Sequence, residues 1–373
     1  MSKAHPKIAI VCDWLLKGGA ENVVYELHTM YPEAPVYTSY CSKEWRAKLF
    51  PAKVYTGYLQ YWPFSMLRKF VPFLRNMWFS RLKLRGYDVV ISVTGAEAKA
   101  VNVAGGRHIS LVNAPTHYYW SRYQEYLHNP GFGVFNGLAR LGLKLLVKPM
   151  RRWDYRAAQM PDVLVANSTH TQKQIKKYYG RESMVIHPPV EIEKFKSSAK
   201  PRGKRSGLVI VGRQTPYKRI DLAVAACSEL KLPLTVIGTG PEHSRLRRMA
   251  GASVKFSDNV GSSEELAGII GAAEGFIFPG IDDFGIAAVE ALSAGTPVIA
   301  FRGGGAMDYI KPGRNGQFFY PQTVSALIKA LKNFNPDKYT QGDIKKSANN
   351  FSIEAFRSKI SKLVEDIQIS RTI

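Results

Sequence analysis

Phe278-Pro-Gly-Ile-Asp-Asp-Phe-Gly-Ile-Ala-Ala-Val-Glu290-Ala-Leu-Ser-Ala-Gly-Thr-Pro-Val-Ile-Ala300 is the most informative stretch of this chain. Phe276 to Phe278 ends an apolar run that reads as a buried strand, and Pro279-Gly280 stops it. Phe284-Gly285 opens a helix that carries Glu290 and closes near Gly295, and a short buried strand, Pro297 to Ala300, follows. Strand, turn, helix and strand in that order build a parallel α/β sheet. Asp282 and Glu290 bracket the turn at the carboxyl end of a strand, where open α/β sheets bind ligands. First-turn N–H groups point outward there and favour anions or hydroxyl-rich ligands. Two acids for hydroxyls and free amides for a diphosphate suit a sugar nucleotide, with Asp283, Phe284, Gly285 and Ile286 of the turn as candidate donor contacts.

The same rhythm runs outward in both directions. Downstream of Gly207 come apolar runs at Leu208–Val211, Leu234–Ile237, Val254–Phe256 and Val298–Ala300, separated by helical patterns. Upstream, Lys7–Cys12, Val36–Thr38, Val89–Val93, Ile109–Val112, Val163–Ala166 and Met184–Ile186 repeat it. At 373 residues the chain suits two α/β domains rather than one core. The basic, Pro- and Gly-broken stretch 194–207 reads as a linker between a domain at 1–193 and another at 208–350. Residues 351–373 carry apolar positions at helical spacing and form a last helix. The expected architecture is α/β, two doubly wound domains with a cleft between them.

Asp282-x7-Glu290, in its Phe-Gly-Ile and Ala-Gly-Thr-Pro-Val-Ile-Ala setting, resembles the Glu-x7-Glu motif of the retaining glycosyltransferases of family 4, with Asp in place of the first Glu. That resemblance implies the GT-B fold of two Rossmann-like domains, the last helix crossing back to the first. Gly212-Arg213-Gln-Thr-Pro-Tyr-Lys218 resembles the family's Gly-Arg-x4-Lys motif, whose cations hold the donor diphosphate. Breaking the anomeric carbon–oxygen bond leaves charge on that diphosphate, and fixed cations stabilise it. Arg219 is expected to turn away. Gly18-Gly19 between the first strand and helix resembles the family loop over the diphosphate. Gly238 and Gly240 lie in a turn that lines the nucleotide pocket of the family, and Asn259-Val260 match the stretch that meets the base. Asn113 stands where many relatives carry an active-site His, and His117 follows four residues on; either could take that role. Glu97, Lys99 and Tyr118 are candidate acceptor-side residues.

No Asp-x-Asp occurs and the eight histidines lack ligand spacing, so no metal and no separate cofactor is expected. Three cysteines without close spacing, and no long apolar leader, fit a reducing, cytoplasmic setting. The net charge of +23 raises nucleic acid as a partner, yet the bases follow no nucleic-acid motif. They alternate with aromatics in 58–85, which holds six bases and no acid, and again in 138–153. Trp62, Arg68, Lys69, Arg75, Trp78, Arg81, Lys144 and Arg151 are therefore expected to face an anionic lipid surface. Asp13-Trp14, Tyr37-Thr-Ser-Tyr40 and Ala114-Pro-Thr-His-Tyr-Tyr-Trp120 resemble mannosyltransferases of bacterial surface-polysaccharide assembly. The implied reaction moves mannose from GDP-mannose to a lipid-linked or saccharide acceptor at the inner membrane face. A UDP-sugar transferase, a sugar-nucleotide epimerase and a nucleic-acid-binding protein remain the alternatives.

Overall fold

Ile8-Ala-Ile-Val-Cys12 is buried along its whole length, and a strand without an exposed face belongs inside a parallel sheet covered on both sides. The computed structural model describes residues 6–16, 18–67, 72–131, 133–258 and 260–372, which fall into two units. In the first unit the strands are β1 (Ile8–Cys12), β2 (Val36–Thr38), β3 (Val54–Thr56), β4 (Lys83–Arg85), β5 (Val89–Thr94), β6 (Asn102–Ala104), β7 (Arg107–Val112), β8 (Val163–Ala166) and β9 (Met184–Val185). Seven of them form one parallel sheet in the order β3-β2-β1-β5-β7-β8-β9, while β4 and β6 pair separately. The order reverses between β1 and β5, which run side by side from Ile8↔Val89 to Cys12↔Val93.

In the second unit β10 (Leu208–Val211), β11 (Leu234–Ile237), β12 (Val254–Ser257), β13 (Gly275–Phe278), β14 (Val298–Phe301) and β15 (Gly316–Phe319) form a parallel sheet, β12-β11-β10-β13-β14-β15. Its order reverses between β10 and β13. Strand alternation divides the core: Phe276 and Phe278 face one helical layer, Ile277 the other. The helix Ile286–Ser293 buries Ala288, Val289, Ala291 and Leu292 against the first of these layers. Both units are doubly wound and Rossmann-like, the two domains of the GT-B fold.

The linker reading of 194–207 is corrected. Unit 2 begins at Pro188, and Ile192–Ser197 is a helix whose Ile192 and Phe195 enter the unit 2 core. Arg205 is buried and donates to the carbonyl oxygens of Ala294 (2.8 Å) and Gly295 (2.9 Å) and to the Thr296 hydroxyl (2.8 Å), closing the end of the helix that carries Glu290. The polar composition misled because Lys194 and Lys196 pair with Glu191 (2.7 Å) and Glu193 (2.6 Å) while the few apolar groups here, Ile192 and Phe195, point inward. The last helix, Ile353–Thr372, belongs to unit 1 from Arg357 onward, where the Arg357 guanidinium holds the Glu26 carboxylate at 2.6 Å.

The unit 1 core contains a buried ion pair between Lys99 and Asp154 at 2.7 Å. Asp154 also accepts from Thr116 (2.9 Å), Trp120 (2.7 Å) and Tyr179 (2.8 Å), so one carboxylate ties the segment after β5, the loop after β7 and the helix ending at Tyr179. Removing it strands a buried ammonium and three donors, which by the usual cost of breaking such a pair amounts to about 3–5 kcal/mol. Asp154→Ala should therefore lower the urea midpoint steeply, whereas Lys99→Met, which leaves Asp154 with three neutral donors, should cost less. The reverse ranking would contradict this account.

Candidate active site

The loops that leave β10 and β13 meet at the reversal point of the unit 2 sheet. Gly212, with φ 156°, turns the chain out of β10, and the loop carries Arg213 and Lys218. Lys218 Nζ contacts Asp282 Oδ2 directly. That contact requires a close approach of two backbones: a β-carbon on Gly280 would stand 2.8 Å from the Tyr217 carbonyl oxygen and from Lys218 Cα. Asp282 is buried, and its second carboxylate oxygen has no hydrogen-bond partner among the described residues. Arg213 is exposed and makes no ion pair among the described residues. Arg219 turns away as expected, through a left-handed backbone (φ 51°) at the start of the next helix rather than through helical spacing, and pairs with Asp221 at 3.2 Å.

Glycines behind this loop let the neighbouring turn press against it. A β-carbon on Gly238 would lie 2.5 Å from the Gly212 carbonyl oxygen, and one on Gly240 2.5 Å from that of Gln214. Gln214, which the sequence reading passed over, is fully buried: its amide nitrogen donates to the Gly238 carbonyl, and His243 Nδ1 donates to its side-chain oxygen at 2.8 Å. Its place between the motif Arg and Lys was the available signal. Gly285, with φ 95°, starts the helix Ile286–Ser293 without a side-chain cap. Phe284 is corrected as a side-chain contact, since its ring packs on Tyr309 (5.5 Å) and Phe351 (5.7 Å) inside the core. Asp283 and Ile286 are part-exposed, and Val260 rests on the same core. Asn259 lies outside the described residues.

Glu290 does not share Asp282's partners. Its charged neighbours are Glu191 and Lys194, beside and on the helix Ile192–Ser197. Burial, with the Glu191 carboxylate adding to it, pushes the Glu290 carboxyl up to about 7.

In unit 1 the corresponding reversal point holds Asp13. Its carboxylate accepts N–H bonds from Gly95 (2.8 Å), Ala96 (3.0 Å) and Ala98 (2.7 Å), and the Thr94 hydroxyl at 3.2 Å. Burial, with the Glu97 charge, pushes its carboxyl above the usual range against the pull of those amides. Glu97 and Lys99 are corrected as acceptor-facing groups. Glu97 is fully buried on Arg75, at 2.8 and 3.1 Å, and Lys99 is spent on Asp154. Tyr118 is part-buried and donates to Glu97 at 2.5 Å. Asn113 sits at the carboxyl end of β7, where its carbonyl accepts from Asn167 at 2.9 Å, and His117 bonds Ser121 at 2.8 Å. Gly18 and Gly19 are exposed ahead of the helix Ala20–Met30, and Glu21 bends back to accept the Leu16 N–H at 3.3 Å.

Several residues expected at a lipid surface are elsewhere. Arg75 is buried on Glu97; Trp78 packs on Phe79 and against Gly57; Arg151 donates to the Tyr119 carbonyl and lies over Trp120 and Tyr123. Arg68 and Lys69 lie outside the described residues. Trp62, Arg81 and Lys144 are exposed. The helix Asn136–Ala157 shows two apolar faces: Val147 and Ala157 point into the unit, while Leu138, Leu141, Leu145 and Leu146 are exposed. Arg140, Lys144, Lys148 and Arg152 stand exposed beside them. Among the described residues no helix is long and apolar enough to cross a membrane.

The Glu290 shift has a stability consequence. An acid whose folded value exceeds its unfolded value contributes fully below the unfolded value and loses that contribution as pH rises through the folded one, here about 7. Glu290→Gln should match wild type in melting temperature near about pH 4, below the unfolded value, and exceed it near about pH 8.5, above both values. A constant difference between the two proteins across that range would refute the assignment.

The family model described as Glycosyltransferase Family 4 matches residues 17–194, and that described as Glycosyl transferases group 1 matches 191–363. A D-inositol 3-phosphate glycosyltransferase of Streptomyces coelicolor is 27% identical over 223 residues, covering 47% of this chain and 48% of the relative. A GDP-mannose-dependent alpha-mannosyltransferase of Corynebacterium glutamicum is 30% identical over 138 residues, 37% of this chain and 33% of that protein. The match to the inositol-phosphate relative thus spans about half of that protein's length. The crystal structure of Anabaena Alr3699/HepE in complex with UDP and glucose superposes with a TM-score of 0.67 at 17% identity, over 97% of this chain and 100% of that one, a likeness of fold. From the two adjoining family matches, the chain belongs to the family-4 glycosyltransferases.

Proposed function

We propose that the protein is a retaining glycosyltransferase, that unit 2 holds a nucleotide-sugar donor, and that the donor is GDP-mannose. The observation that carries the first part is the arrangement around Asp282. A lysine is fixed on one carboxylate oxygen, the other oxygen is buried without a partner among the described residues, and the Arg213 guanidinium stands exposed on the same loop as the lysine. A buried acceptor left open is costly unless a ligand fills it, and a sugar hydroxyl has the donor it lacks. Arg213, Lys218 and the uncapped helix amides at Gly285–Ile286 supply positive potential for a diphosphate. Glu290, ionised above its raised value, accepts from the ribose hydroxyls. The mannosyltransferase relative supports mannose and GDP. The HepE complex favours UDP as the second reading.

In this mechanism the bond between the anomeric carbon and the diphosphate oxygen breaks, and its electron pair stays on the diphosphate. Arg213 and Lys218 stabilise that growing charge. The acceptor hydroxyl attacks from the same face and passes its proton to the departing phosphate oxygen, so configuration is retained. The protein cations carry the leaving-group charge in this scheme, which is why we propose independence from added metal.

The exposed leucines and flanking bases of the helix Asn136–Ala157, with Trp62 78% exposed, support a second element: peripheral binding to an anionic membrane at its cytoplasmic face, with a lipid-linked or saccharide acceptor for cell-surface polysaccharide. Each base near such a surface contributes on the order of 1 kcal/mol.

Arg213→Ala and Lys218→Ala should each lower turnover by about a hundredfold, because each removes a charge aimed at the leaving group. Donor identity is read from thermal shift against GDP-, UDP- and ADP-sugars, where a ligand at a hundred times its dissociation constant adds about 2.7 kcal/mol. Wild-type turnover in both variants would overturn the site. The quadruple change of Arg140, Lys144, Lys148 and Arg152 to Ser should abolish co-sedimentation with anionic vesicles and leave the thermal shift intact. Unchanged sedimentation would overturn the membrane reading.

A further inference from the structure

Asp13 and Leu15 are buried, yet Trp14 between them keeps 36% of its surface exposed at the carboxyl end of β1. An indole gains more from burial than most side chains, and this one is held in a single pose. The pose is set from beneath: the Arg75 guanidinium lies 5.0 Å from the ring centroid. Arg75 is itself clamped, with two bonds to Glu97 at 2.8 and 3.1 Å and one to the Tyr118 hydroxyl at 2.9 Å. Tyr118 meets Tyr126 edge to face at 6.0 Å, and Tyr126 is exposed. The helix Pro72–Arg81, which carries Arg75, and the loops after β1, β5 and β7 thus meet around one guanidinium at the carboxyl edge of the unit 1 sheet. A buried Arg–Glu pair repays its desolvation poorly as a stabiliser, but it holds a ring in place well.

We propose that the exposed part of the Trp14 indole is a platform on which a pyranose ring of the acceptor stacks, and that Arg75 is the positioning residue that fixes it. A sugar ring offers a C–H face that packs on indole while its hydroxyls stay in water. The proposal rests on the glycosyltransferase reading and supplies an acceptor contact that the buried Glu97 and Lys99 cannot make.

The test is saturation-transfer NMR of the full chain with methyl mannoside, glucoside, galactoside and N-acetylglucosaminide, paired with thermal shift against GDP and UDP on the same samples. Wild type should transfer saturation to the ring C–H protons of at least one glycoside. Trp14→Ala should weaken that glycoside about tenfold and Trp14→Phe far less, with the nucleotide shift unchanged in both. Arg75→Lys, which keeps the charge and loses the paired hydrogen bonds to Glu97, should lie between them; wild-type glycoside affinity there would remove the positioning role. No transfer in wild type, or equal transfer in Trp14→Ala, overturns the platform while nucleotide binding upholds the donor reading. Trp14-dependent transfer without any nucleotide shift overturns the donor reading and upholds the platform.

Discussion

The contact between Lys218 and Asp282 joins the two loops that leave the sheet on either side of its reversal point, and unit 2's candidate site is built around it. The contact forms only because the backbone at Gly280 passes against Tyr217 and Lys218 with no room for a β-carbon. On the other side of Asp282 the same logic holds. Gly304 leaves no room for a β-carbon beside the Asp282 carbonyl, which accepts the Gly305 N–H at 2.9 Å, and Tyr309 bonds the Phe284 carbonyl at the same distance. The acid is therefore fixed before any ligand arrives, as an electrostatic site requires.

Unit 1 places a carboxylate at its own reversal point and uses it differently. Asp13 is saturated by three backbone amides and a hydroxyl, so it staples the loops after β1 and β5 and has little left for a ligand. Asp282 has one strong partner, and its other oxygen has none among the described residues. The same topology thus yields a structural acid in one unit and a ligand-ready acid in the other, and the difference lies in how many donors the loop backbone supplies. Lys99 and Glu97 follow the structural pattern, each consumed by a buried partner.

Much of this was legible in the chain. Apolar runs separated by helical patterns gave the sheets, and spacing with glycine gave the Asp282–Glu290 segment and the Arg213–Lys218 loop, because those features are local. The failures were non-local. Glu97 and Lys99 follow a strand, where polar residues commonly meet ligands, but their partners Arg75 and Asp154 come from helices whose docking no local pattern reveals. Arg75 read as surface for the same reason: its neighbours in sequence are aromatic and basic, and only the fold shows the carboxylate it reaches. The helix Ile192–Ser197 was hidden in a basic stretch whose few apolar groups carry the packing. Gln214 was overlooked because a buried amide is defined by its partners, here the Gly238 carbonyl and His243.

The central claim is that the reversal point of unit 2 binds the nucleotide-sugar diphosphate. Hydrogen–deuterium exchange with and without the nucleotide sugar that gives the largest thermal shift tests it most directly. The account predicts ligand-induced protection at the amides of 212–218, 238–240 and 282–288, which carry the cations, the pressed glycines and the uncapped helix start. Protection confined to unit 1, with these three segments exchanging as in the free protein, would contradict it.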